Sequence, residues 1–317
     1  MAATAPVGCG VRALFFLFLA ASSMQAATYY LTVAGLGGTP EYEAQFSKWA
    51  AELQGELEKN GPDTHATTLA GTAATRQTVQ QELTRIAAES KPADAFGMFL
   101  IGHGSFDGTD YKINLPGPDL TAAELATLLN RIPASRQLVV DMTSCSGAAL
   151  PALARKGRIV ITATKSGTEK NATVFPRYWI DALHDPSADT DKNGTLTTLE
   201  LYRYTAQKTA AYFESEKLLA TEHPSITDTG TATAVRDPKP ENGQGLLAAR
   251  FVVIRPEQQA AKNMGPEKQR LVSKKEELEA KIDRLKYEKA AMPPDQYKQQ
   301  LTGLLLELAR TQEEIDR

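Results

Sequence analysis

Residues 97–108 read GMFLIGHGSFDG, an apolar run ending on Gly102-His103-Gly104. Residues 136–148 read RQLVVDMTSCSGA, a second apolar run that delivers Cys145. A thiol and an imidazole are the pair needed for nucleophilic acyl transfer: the thiolate attacks, and the imidazole protonates the leaving amine. Glycines on either side of a residue let the chain turn sharply after a strand and leave an amide N–H open to an approaching group. In a thiol hydrolase that N–H, with the amide of Cys145 itself, can receive the oxyanion of a tetrahedral intermediate. A helix is expected to open near Ser146, and a helix N-terminus favours thiolate at Cys145. Neither motif is specific alone, and a lone cysteine also serves as a small core residue. Together, each following an apolar run and in the order His then Cys, they read as one site. His65, His184 and His223 lie in less distinctive settings, and His184 is assigned to structure or surface.

A second constellation is independent of the first. Residues 189–200, DTDKNGTLTTLE, match the twelve-residue EF-hand loop. Asp189, Asp191 and Asn193 take the first, third and fifth positions, and Gly194 makes the turn at the sixth. Thr195 offers its carbonyl at the seventh, Leu196 is the apolar eighth residue, and Glu200 closes the loop as a bidentate ligand. Oxygen donors at alternate positions suit Ca2+, a hard cation. No second loop of this kind occurs, so the expected role is a structural clip rather than a sensor; the alternative is an Asx-rich loop without metal.

The elements that must position these residues alternate in type. TYYLTVAGL, HATTLAG, AFGMFLIG, RQLVVDM and RIVITAT read as strands, and ARFVVI at 249–254 as a last one. Helical periodicity lies between them, in EYEAQFSKWAAELQGELEKN, TRQTVQQELTRIAAES and TAAELATLLNRI. Strands separated by helices predict an α/β fold with a mostly parallel sheet covered on both faces. Sites in such folds gather at the carboxyl ends of the strands, where both His103 and Cys145 stand. Residues 221–245, rich in Pro, Gly, Thr and Asp, read as one long irregular loop.

A strand ending in His-Gly and a later strand ending in a small residue and Cys resemble the legumain-type (asparaginyl endopeptidase) cysteine peptidases of the caspase-like clan. The resemblance covers roughly residues 28–230, including LTVAGLGG and VITAT. It implies a caspase-like three-layer fold, Cys145 as nucleophile, His103 as general acid, and Gly104 and Cys145 as amide donors to the oxyanion. Two departures matter. Legumains carry an acid two places before the cysteine, where this chain has Thr143, and an arginine near the position of Glu43. Both help shape the pocket for asparagine, so that specificity does not carry over. An acidic Glu43 beside Thr143 in that pocket would suit a basic residue on the acyl side of the scissile bond.

The ends differ from the body. Residues 11–26 place Arg12 before a short apolar core and small residues, which reads as a secretory signal peptide over 1–26; an uncleaved anchor is the alternative. Cleavage would leave Cys145 as the single cysteine of an exported, periplasmic or extracellular, chain with no stable membrane span. The peptidase domain is then expected at 27–255, and a helical hairpin or coiled-coil tail at 256–317. Leu271, Leu278, Ile282 and Leu285 form one stripe of that tail, and Tyr297, Leu301, Leu304, Leu305 and Leu308 the other, with Asp295 as N-cap. The hairpin either packs on itself or recruits a partner or a second copy. A net charge of -3 argues against nucleic acid as ligand. The expectation is an exported cysteine endopeptidase with one Ca2+ acting on peptide or protein substrates. An inactive calcium-stabilised scaffold and a transpeptidase or ligase of the same fold stand as alternatives.

Overall fold

The computed structural model describes residues 26–255 and 265–316. The predicted signal segment and Cys9 lie outside the described residues. The chain opens with β1 (Thr28–Ala34), α1 (Pro40–Leu57), β2 (Thr64–Ala70), α2 (Arg76–Glu89) and β3 (Ala95–Ile101). A small antiparallel sheet follows: β4 (Gly104–Phe106), β5 (Tyr111–Ile113) and β6 (Leu120–Thr121). Then come α3 (Ala122–Leu129), β7 (Arg136–Asp141), the single-turn α4 (Leu150–Leu153), β8 (Arg158–Thr162) and α5 (Phe175–Ala182). The rest is β9 (Leu196–Thr197), α6 (Thr198–Ser215), β10 (Ser225–Thr227), β11 (Val252–Ile254), α7 (Pro266–Tyr287) and α8 (Pro294–Asp316).

The main sheet has the order β10-β8-β7-β3-β1-β2, parallel except for β10. Its central strands are buried along their length, which their nearly continuous apolar runs require. Period-two alternation divides the core. Tyr30, Phe99 and Val140 meet α1, α5 and α6 on one face, whereas Leu31, Met98 and Val139 meet α2, α3 and α4 on the other. This is the expected three-layer α/β architecture.

Helix starts follow the sequence signals. Thr75, Thr121 and Thr197 each cap a helix and form a capping box with the residue three places on. Arg158 is buried at the start of β8, where its guanidinium donates to Gln137 Oε1, the Leu153 carbonyl and Asn130 Oδ1. With only neutral partners and a dry site, its pKa falls to about 10.

Three sequence expectations are corrected. Residues 225–227, read as loop, are β10, the antiparallel edge strand; a three-residue strand is too short to leave a periodic signal. Strand 252–254 does not join the main sheet but pairs with β9. Asp295 lies in the first turn of α8, one residue inside it, rather than capping it.

The two terminal helices pack on each other and on the body. Leu278, Ile282 and Leu285 of α7 and Ile315 of α8 are buried, while Leu305 and Leu306 stay exposed. Tyr287 packs against the core beneath α6, and its hydroxyl meets Gly245 so closely that a side chain there would collide with it. Replacing Ile282 by Ala is expected to cost about 2–5 kcal/mol of hairpin docking. Limited proteolysis should then cut residues 265–316 well before the body, which urea melts monitored by tryptophan fluorescence would follow separately.

Candidate functional site

β3 and β7 are hydrogen-bonded neighbours with Leu100 opposite Asp141, so both chains leave the sheet side by side. The Gly35 and Met142 amides extend the ladder to Ile101 and Leu100 past the assigned strand ends. Gly102 follows at φ +147°, a backbone angle L side chains rarely adopt. The next glycine is required by proximity: a Cβ on Gly104 would lie 2.4 Å from the Ser144 carbonyl oxygen. The Gly104 amide donates to Ser144 Oγ at 3.1 Å, and that hydroxyl donates back to the Gly104 carbonyl at 2.9 Å. The residues following His103 and preceding Cys145 are therefore bonded to each other.

The two side chains pack against different elements. The His103 imidazole stands edge-on to Tyr42 and Phe46 of α1, with ring centroids 5.0 and 5.2 Å away. The Cys145 thiol belongs to the core on the opposite face, only 2% exposed, beside the Phe106 amide. Burial pushes the thiol pKa up, against the pull of Lys170 and that amide. The helix expected to open there is a four-residue 3-10 turn, Ser146–Ala149, followed by one turn of α4, with Cys145 itself left-handed at φ 59°. So short an element has little dipole to stabilise thiolate.

Both expected oxyanion donors have partners within the chain. The Gly104 N–H is bound to Ser144, and the Cys145 N–H donates to the Glu169 carbonyl at 2.8 Å. Thr143 is fully buried, with its hydroxyl bound to Asp141 Oδ1 and Tyr111. Half-buried Glu43 accepts the Gly37 amide at 2.9 Å and closes the turn between β1 and α1. Both residues expected at a basic-residue pocket are engaged in hydrogen bonds within the chain.

Two groups next to the site escaped the sequence reading. The Asp141 carboxyl, fully buried, accepts from the Tyr111 hydroxyl at 2.7 Å and from the Thr143 amide and hydroxyl. Desolvation raises its pKa to about 6 despite these bonds. Its signal was a charged residue inside an otherwise apolar strand. The second group is His223, whose Nδ1 bonds the Glu169 carboxylate, so the residue that occupies the Cys145 amide is itself clamped. Neighbouring Glu222 accepts the Val174 and Phe175 amides, yet burial and the charge of Glu169 lift its pKa to about 8.

The acidic loop lies remote from this edge. Carboxylate oxygens of Asp189, Asp191 and Glu200 gather within 4.8 Å of one another. Asp189 accepts the Asn193 and Gly194 amides, and Asn193 Oδ1 accepts the Thr195 amide. The capping box of Thr197 with Glu200 sets the closing carboxylate at the start of α6. Leu196 and Thr197 pair with β11, which supplies the strand that a second loop would otherwise provide. Lys286 of α7 reaches Asp191 Oδ2 at 3.6 Å. These hard oxygen donors fit a divalent cation of the Ca2+ type.

No family model matches the chain, and no curated protein sequence matches it. Among solved structures it is similar to a protein from Geobacter sulfurreducens (15% identity, TM-score 0.44), over 69% of this chain and 97% of that one. It is also similar to the Drosophila initiator caspase Dronc (10% identity, TM-score 0.42), over 66% of this chain and 81% of that one. A third likeness is to Chaetomium thermophilum Raptor (11% identity, TM-score 0.36), over 51% of this chain and 19% of that one. No helix among the described residues is long and apolar enough to cross a membrane.

The buried carboxyls set a pH dependence. Both Asp141 and Glu222 have folded pKa values above their ordinary 3.8 and 4.5. The folded state therefore binds more protons, and stability must fall as pH rises through these windows, from 3.8 to about 6 and from 4.5 to about 8. At about 1.4 kcal/mol per unit, each shift is worth on the order of 3–5 kcal/mol. Urea melts from pH 4.5 to 8.5 should show declining stability, and Glu222→Gln should flatten the upper part of that decline.

Proposed function

We propose that the chain is a cysteine hydrolase, an exported endopeptidase of legumain-like type, with Cys145 as nucleophile and His103 as general acid. The observation that carries this reading is that His103 and Cys145 end adjacent, hydrogen-bonded strands at one carboxyl edge of the sheet. The described arrangement is then a closed one. Catalysis requires the thiol to leave the core and the imidazole to turn from Tyr42 and Phe46, so that Nδ1 or Nε2 can pass a proton to the leaving amine. It also requires Gly104 to exchange the Ser144 hydroxyl, and Cys145 the Glu169 carbonyl, for the substrate oxyanion. Each exchange trades one hydrogen bond for another, a change of about 1 kcal/mol that substrate binding can supply.

The same contacts favour a second reading, a calcium-stabilised scaffold that performs no hydrolysis and presents its helical hairpin to a partner. Acyloxymethyl ketone probes carrying Asn, Asp, Arg or Lys next to the warhead separate the two. Labelling of the wild type that is lost in Cys145→Ala, with kcat/KM for a peptide substrate down by roughly 10³ or more, is the expected result. His103→Ala should leave the thiol present but slow both reactions. An unlabelled wild type with all four probes supports the scaffold.

Calcium belongs to the proposal under either reading. Asp189, Asp191, Asn193, Glu200 and the Thr195 carbonyl would hold the ion, which would supply charge neutralisation to three clustered carboxylates and tie α5 to α6. Ligand linkage predicts about 2.7 kcal/mol of added stability at a hundredfold excess over Kd. The melting temperature should rise with calcium and drop with chelator in the wild type, and respond to neither in Asp189→Ala. Identical wild-type melts in calcium and chelator, with no heat of binding, would count against the site.

A further inference from the structure

A cleft of about 850 Å3 opens at the other end of the molecule, between the amino-terminal edge of the sheet and helix α7. Four arginines line it from four separate segments. Arg136 begins β7, Arg250 ends a 3-10 turn, Arg255 follows β11, and Arg270 projects from α7. Arg136 and Arg255 also line a smaller adjoining hollow that reaches Tyr30 and Asn60. Among the described residues, Arg136, Arg250 and Arg270 make no hydrogen bond or ion pair. Along the cleft wall five cations, Lys274 included, face two carboxylates, Glu277 and Glu279, the latter paired with Lys275. Lys274, also on the wall, pairs with Glu307 of α8.

Arg136, Arg250 and Arg270 are exposed and Arg255 is half-buried. Desolvation lowers the pKa of Arg136, and the charges of Arg255 and Arg250 lower it further, against the pull of Tyr30 and Asp94, so the three cations lie within electrostatic reach of one another. The same Arg255 and Arg136 charges act on the buried Tyr30 hydroxyl. Like charges gathered in an open cleft repel one another, by up to about 1 kcal/mol for a close pair in water. A multivalent anion removes that cost for several of them at once. The cleft volume lies within the range of small-molecule pockets, roughly 300–1,000 Å3. Guanidinium forks match phosphate and carboxylate oxygens two at a time, and a polyphosphate gathers more negative charge into a small volume than a tricarboxylate does.

We infer that this cleft is a binding site for a small polyphosphate-bearing anion, gripped by Arg136, Arg250, Arg255 and Arg270. Because α7 forms one wall and the sheet the other, an occupant would fasten the hairpin to the body. This inference does not depend on the peptidase reading. Inorganic tripolyphosphate is the probe, titrated calorimetrically at low ionic strength into full-length protein freed of metal, since polyphosphates also chelate calcium. Saturable binding with one site per chain is expected, weakening as salt is added. Citrate, with three carboxylates, less negative charge and no phosphate, should bind at least tenfold less tightly.

Arg136→Gln and Arg250→Gln should each weaken tripolyphosphate by about tenfold or more, while raising the melting temperature of the ligand-free protein because a repulsion is removed. A merely structural arginine would lower that temperature. Either variant suffices for the comparison, as neither side chain holds a partner in the fold. Absence of saturable heat at millimolar tripolyphosphate overturns the assignment. So does unchanged affinity in both variants, citrate binding as tightly as tripolyphosphate, or tighter binding of a single-stranded oligonucleotide.

Discussion

The in-register parallel pairing of β3 with β7 is the constraint on which the rest of the molecule hangs. A parallel pair cannot close through a tight turn, so the chain between them must cross over, here through the small β4–β6 sheet and α3. That crossover returns Cys145 to the edge where His103 was left, and the reciprocal bond between Gly104 and Ser144 joins the two exits. A side chain at residue 104 is excluded by the carbonyl of Ser144. The backbone at this edge is therefore held tightly, and the freedom to rearrange lies in the side chains.

What surrounds that edge is a polar network with few charges to balance it. Asp141 sits under the Cys145 turn with hydroxyl and amide partners only, and Glu222 caps the first amides of α5 in a dry environment. Buried carboxyls without a cation favour the protonated form. Glu169 stands between them and the thiol: its carbonyl takes the Cys145 amide while its carboxylate takes His223 and the Lys165 amide. Any movement of the thiol would thus involve the segment after β8 as well as the turn at Cys145.

At the opposite end, α7 connects the remaining features. It contributes Lys286 to the acidic loop, Tyr287 to the core and Arg270 to the basic cleft. A cation in the loop and an anion in the cleft, whose wall includes Asn193 and Thr195 of that loop, would act on the same helix, the first by competing with Lys286 for Asp191. The helix is amphipathic rather than apolar, and its buried stripe of Leu278, Ile282 and Leu285 is narrow. Its hold on the body is accordingly the part of the structure most open to charge.

Local spacing in the sequence determined much of this. Apolar runs of strand length alternating with helical periods imply a covered parallel sheet, and capping threonines mark the helix starts. The alternate oxygen donors from Asp189 to Glu200 gather as a loop because each ligand is fixed by its distance along the chain from the last. The residues at the ends of β3 and β7 were legible for the same reason. Side-chain direction was not. Whether His103 and Cys145 turn toward each other depends on which face each follows after leaving the sheet, and on α1, Phe106 and Glu169, all distant in sequence. Thr143 reads as a pocket residue until Tyr111 and Asp141 are seen to enclose it. β10 and β11 find their partners through contacts tens of residues away, and the arginine cleft draws on four segments that share no local pattern. Periodicity is a property of neighbours in the chain; burial and charge proximity arise only when packing brings remote segments together.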